Sequence, residues 1–242
     1  MLLRNKANFT KGVLLLGSFA VIFILILSPV FKDNNGKTQT GLEYADDLFN
    51  KLSKGSSYFL DEVQEGVDTI KASNVDVSIK PKKADLVPVM AALASQAGLT
   101  ATDKGNGELA LQGALAPMLE KIIADSDAFY KNDGAAVKAR YNLDEKQVMK
   151  AWWDMLAGMI KPLQKQKLIR EAQVLDLVSK KAIEPAFNFY GIEAQSVLDK
   201  AGVLTALLVF YVIYTMWYGF AIFEIFDGIG LSMKKAKAKE EV

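Results

Sequence analysis

The chain has 242 residues, 51% of them hydrophobic, with 29 basic and 28 acidic side chains and a formal net charge of +1. It contains no histidine and no cysteine. That removes Ser-His-Asp and Cys-His nucleophiles, the common zinc sites, histidine haem ligation and disulfides, and the near-neutral balance argues against nucleic acid, which needs a basic patch.

The hydrophobic excess sits at the two ends of the chain. Arg4, Lys6 and Lys11 precede an apolar stretch, residues 12–31, that carries no charge. About 20 apolar residues at ~1.5 Å each cross a hydrocarbon layer. A soluble helix of that length shows a polar face, and this stretch has none. Residues 12–31 are therefore expected to be a transmembrane helix, after a cytoplasmic N-terminus of residues 1–11. A cleaved signal peptide is the rival reading, with the three cations as its n-region. The exit Ser28-Pro29-Val30-Phe31-Lys32 offers no small-residue cleavage site, so an uncleaved anchor is expected.

Residues 41–72 read as one long helix leaving the membrane. Ala45, Phe49, Leu52, Ser56, Phe59, Val63, Gly66 and Ile70 recur at spacings of three and four, the pattern of a single helix face. Gly55-Ser56-Ser57 marks a place for a break or kink. Val75, Val77 and Ile79 alternate with polar residues as in a half-buried strand. Residues 85–97 read as a helix, with Pro88 in its first turn and Gly98 as its C-cap. Gly105-Asn106-Gly107 is a turn into a second short strand over 108–112.

Further helices are expected over 116–131, stopping at Asn132-Asp133-Gly134; from Asn142, with capping-box spacing to Glu145, to Pro162; and over 163–183, with Pro185 as an interruption. Phe187, Phe189, Tyr190 and Ile192 form an aromatic knot that reads as core. Residues 32–200 are thus expected to fold as one mostly helical α+β domain with a small minor sheet.

Residues 201–223 again carry no charge, and a second transmembrane helix is placed at 201–227. A basic tail, residues 228–242, follows with Lys234, Lys235, Lys237 and Lys239. Cations flanking spans stay on the cytoplasmic side. Both ends therefore point to the cytoplasm, and residues 32–200 to the periplasm of a bacterial inner-membrane protein. The fold class is mainly α: two transmembrane helices flanking an extracytoplasmic helical domain.

No cofactor or metal site is expected. Asp33-Asn34-Asn35-Gly36 and the loop from Asp103 to Glu108 miss the spacing of a calcium loop, and Asp125, Asp127 and Asp133 do not place three ligands in one loop. The residues singled out are candidate partner contacts. Adjacent helix positions diverge by ~100°, so of Trp152 and Trp153 one is expected in the core and one half-exposed, available to a partner. Glu224 and Asp227 lie three apart on one helix face, where acids near a span are costly and often functional. They lie either in the headgroup layer or against a neighbouring subunit's base or a proton path. The aromatic cluster Tyr211, Tyr214, Trp217 and Tyr218 is broad: its inner members lie too deep for a simple interfacial belt, and Trp217 and Tyr218 are candidate contacts to other helices.

The function expected from this pattern is non-catalytic: an accessory or scaffolding subunit of a membrane complex. Its partners would be other membrane-protein subunits or a second copy, and the lipid bilayer. The alternative is an extracytoplasmic ligand-binding or sensory module that signals through a separate partner.

Overall fold

The computed structural model describes residues 3–33 and 36–231. Asn34 and Asn35 of the first aspartate loop, and the basic tail from residue 232 on, lie outside the described residues. In chain order the elements are α1 (Lys6–Leu27), β1 (Phe31–Lys32), β2 (Thr38–Gln39), α2 (Gly41–Gly55), α3 (Leu60–Asp68), β3 (Asn74–Ile79), α4 (Val87–Gln96), β4 (Thr100–Gly105) and β5 (Glu108–Ala114). There follow α5 (Leu115–Tyr130), α6 (Gly134–Tyr141), α7 (Glu145–Lys165), α8 (Ile169–Val178), α9 (Glu184–Asn188) and α10 (Ala201–Ile229). The fold is mostly helical with a small minor sheet. It divides into two compact units, residues 1–49 with 195–242, and residues 50–194.

In the first unit α1 and α10 run antiparallel. Phe9 meets Gly228, Gly12 meets Ala221 and Ile225, and Phe19 meets Tyr214. Both helices are long and apolar enough to cross a membrane. Asn5 caps α1, its side-chain oxygen accepting from the backbone N–H groups of Ala7 and Asn8, and Pro29 blocks continuation past Ser28. Gly12 is the buried residue of α1, and Ala221 and Gly228 those of α10. Leu14, Ile24, Leu208 and Tyr211 are each more than 60% exposed. At the start of α2, Thr40 and Glu43 form a reciprocal capping box, Thr40 N–H donating to Glu43 Oε2 at 2.7 Å and Glu43 N–H to Thr40 Oγ1 at 3.2 Å. The Thr40 N–H donating to it holds the Glu43 carboxyl below its usual range.

In the second unit α4 and α7 pack against one antiparallel sheet of order β3-β5-β4, and the other helices pack around them. Val75, Val77 and Ile79 face the same core as Leu109 and Leu111. The β4–β5 turn is a type I′ pair, Asn106 and Gly107 both taking positive φ. β4 was not anticipated: Thr100-Ala101-Thr102-Asp103-Lys104 is an almost wholly exposed edge strand, so no apolar alternation marks it.

The expected helix over 41–72 is two helices. Ser56 and Ser57 hydroxyls donate back to the carbonyls of Leu52 and Ser53, competing with helical bonding just after Gly55. The break resets the helical phase. Phe49 and Phe59 are exposed, and the buried face of α3 runs instead through Leu60, Val63 and Val67 to Ile70 beyond its end.

Asn132-Asp133-Gly134 ends α5 but also starts α6, because Asp133 caps it by accepting from Ala136 N–H at 3.1 Å. Asn142 is not the next N-cap. It terminates α6 in the left-handed region (φ 53°), and Asp144 caps α7, accepting from Gln147 N–H at 2.9 Å. Pro162 lies inside α7, which continues to Lys165. A π-helical turn, Ser179–Ile183, joins α8 to α9 and opens the backbone just before Pro185, which sits in the first turn of α9.

Two charges are buried in this unit. Asp125 is fully buried between α5, α6 and α7. It accepts from Tyr141 Oη at 2.6 Å, from Trp152 Nε1 at 2.9 Å and from Arg140. Burial pushes its pKa up, and these three donors oppose the shift. Lys54 is 2% exposed. Its ammonium donates to Asn132 Oδ1 (2.9 Å) and to the carbonyls of Phe189 (3.1 Å) and Ile192 (2.6 Å), tying the aromatic segment after α9 to α2 and α5. Burial pulls the Lys54 pKa down, and Glu193 opposes the shift.

Asp125→Ala strands the Tyr141 hydroxyl and the Trp152 indole in the core, and is expected to cost ~3–5 kcal/mol in urea unfolding followed by tryptophan fluorescence. Asp127→Ala, which loses only the exposed partners Lys131 and Tyr58, is expected to cost under ~1 kcal/mol.

Candidate functional site

The site is built by close approach of two backbones. A Cβ on Gly12 would lie 2.6 Å from Ile225 N and 2.9 Å from Ala221 O, and one on Gly228 would lie 2.6 Å from Phe9 N. Only glycine permits this distance, as in the small-residue interfaces of membrane helices. The chain before α1 joins at the same level: the backbone N–H groups of Arg4 and Asn5 both donate to Gly228 O at 2.9 Å.

This approach brings two polar pairs together. Lys11 Nζ donates to Glu224 Oε1 at 2.6 Å, and Asn8 Nδ2 to Asp227 Oδ2 at 2.5 Å. Asn8 and Lys11 are three apart on α1, Glu224 and Asp227 three apart on α10, so each helix presents its two groups on one face. The Glu224 side chain is only 14% exposed, against 63% for Lys11. The Lys11–Glu224 contact is a charge-assisted hydrogen bond, the stronger kind.

Farther along the same seam, Trp217 Nε1 donates to Leu15 O at 3.2 Å. Phe19 stacks on Tyr214 at 4.2 Å and packs tilted against Tyr218 at 5.1 Å. The Tyr214 hydroxyl is buried and has no hydrogen-bond partner among the described residues.

Four of the six residues singled out in the sequence, Trp217, Tyr218, Glu224 and Asp227, therefore lie along the α1–α10 pair. The two tryptophans of α7 lie in the other unit. Trp152 is fully buried against Asp125, so it is core and not a surface contact. Trp153 is 37% exposed, and its indole N–H donates to Glu184 Oε1 at 3.3 Å. Lys11 and Asn8 were not anticipated as site residues, because Lys11 served only as an orientation signal. The matching three-residue spacing of Asn8/Lys11 and Glu224/Asp227 was the available clue. Among the described residues no group of three or more acidic side chains converges as a metal site would require.

Compared with protein-family models, curated proteins and solved structures, the chain matches none.

Lys11→Glu is expected to open the α1–α10 pair by placing like charges together, and Lys11→Glu with Glu224→Lys to restore it. A double-mutant cycle in detergent should give a coupling of ~1–3 kcal/mol. A coupling near zero would mean that Glu224 takes a different partner.

Proposed function

We propose that this chain is a non-catalytic, membrane-anchored accessory or scaffolding subunit. α1 and α10 cross a bacterial inner membrane as a hairpin, both termini lie in the cytoplasm, and the unit over 50–194 is displayed in the periplasm. One observation carries the reading: two long apolar helices pair their charged and amide groups, Lys11 with Glu224 and Asn8 with Asp227, and leave nearly all their remaining apolar surface uncovered. In water such a surface would aggregate, and in lipid it is at home. The orientation is supported by Arg4, Lys6 and Lys11, unopposed by any acid over residues 1–31. The acid–base clasp lies at the same end of the hairpin, where headgroups and water lower the cost of charge.

The clasp changes the role of the carboxylates. Glu224 and Asp227 are engaged by their own chain, so the surface offered to another subunit or a second copy is the uncovered face of α10. Ile213, Met216, Phe220 and Phe223 repeat there at three- and four-residue spacing and are 43–56% exposed. Scaffolding rather than catalysis fits a chain without histidine or cysteine.

Two measurements test this. Protease added to intact spheroplasts should digest the central body and spare epitopes at both ends; cleaved ends with a surviving body would overturn the topology. Purification in mild detergent should yield a second, co-migrating chain in fixed ratio or a defined homo-oligomer, both weakened by Met216→Asn with Phe220→Asn. A stable, lone monomer would remove the scaffolding role.

A further inference from the structure

A cavity of about 340 Å³ opens between α7 and the junction of the π-helical turn with α9, at the small end of the ~300–1,000 Å³ typical of ligand sites. Met149 and Ile183, both buried, supply apolar lining, together with the rings of Trp153 and Phe187. Lys150 and Glu184 are the charged groups at its edge. The rings are held in place. Glu184 Oε1 accepts from the Trp153 indole N–H, and Phe187 stacks on the core residue Phe129 at 6.2 Å. The π-helical turn adds a residue to the backbone register immediately before Ile183 and Glu184 enter the wall, and such turns are frequent at functional sites.

The charge around the cavity is unbalanced. Lys150 Nζ lies 5.6 Å from the centroid of the Phe187 ring, and Lys82 Nζ 5.7 Å from that of Trp153. Neither ammonium forms an ion pair with any described residue. Two unpaired cations therefore stand at the two rings, against one carboxylate already drawn to an indole N–H. The complement to this arrangement is a flat apolar body that carries a negative charge. Stacking satisfies the rings, and a carboxylate is the counter-ion that Lys150 lacks.

We infer that this cavity is a binding site for small aromatic carboxylates, with the ring against Trp153 and the apolar lining of Met149 and Ile183 and the carboxylate on Lys150. Glu184, in the wall of the same cavity, is an acceptor for an amino group, so simple aryl acids and aromatic α-amino acids share the recognition chemistry. The site lies wholly in the unit over 50–194 and does not depend on the membrane hairpin.

Calorimetric titration of the full chain in detergent with 3-phenylpropionate, phenylalanine and phenethylamine tests the inference. Both carboxylates should bind saturably, and phenethylamine at least tenfold more weakly. Lys150→Met, at an exposed position, should lower carboxylate affinity about tenfold or more without changing the melting temperature. If phenylalanine binds more tightly than 3-phenylpropionate and Glu184→Gln erases the difference, the ligand is of the amino-acid type; equal affinities assign it to simple aryl acids. The inference is overturned if no carboxylate binds saturably, if phenethylamine binds as well, or if Lys150→Met leaves affinity unchanged.

Discussion

The closeness of α1 and α10 at Gly12 and Gly228 is the constraint on which the helical pair depends. With any side chain at either glycine the backbones would have to separate, since the added atom would fall 2.6 Å from backbone nitrogen. Separation would pull Lys11 from Glu224 and Asn8 from Asp227, and would break the two bonds to Gly228 O. An isolated carboxylate on an apolar helix is expensive. Paired with an ammonium at 2.6 Å, it instead fixes the register of one helix on the other. Packing and polarity are thus a single device: glycine sets the distance and the distance makes the charges tolerable.

The same logic governs the unit over 50–194 with different chemistry. Asp125 is tolerable in the core because α6 brings a phenol and a guanidinium, and α7 an indole, to its two oxygens. Lys54 has neutral acceptors instead, three oxygens from the turn after α5 and the segment after α9. A buried charge of this kind is weak evidence for net stability, but its removal from one side only is costly. Each therefore specifies which segments meet. The cavity beside Trp153 is the contrasting case, where cations are left without counter-ions at a partly open surface.

Much of the secondary structure was legible because its signals are local. The alternation of Val75, Val77 and Ile79 and the glycine stop at Gly98 need only a few neighbours. β4 was invisible because an exposed edge strand has no apolar face to reveal it. α6 was missed because one short Asn-Asp-Gly motif both ends α5 and begins α6. The seam failed at Phe59 because a periodic pattern assumes unbroken phase, and the serine hydroxyls at 56 and 57 interrupt it. The true cap of α7, Asp144, lies two residues from Asn142, since both residue types satisfy the same geometric need.

The sequence by itself determined the two apolar lengths, their lack of a polar face and the chemistry excluded by the absence of histidine and cysteine. Those properties follow from composition and near-neighbour spacing. Only the tertiary structure decided which group each carboxylate meets. Lys11 and Glu224 are 213 positions apart, and no local rule connects them. Their meeting is set by two glycines that let the backbones touch, so the partner of a charge was decided by the packing of residues that carry none.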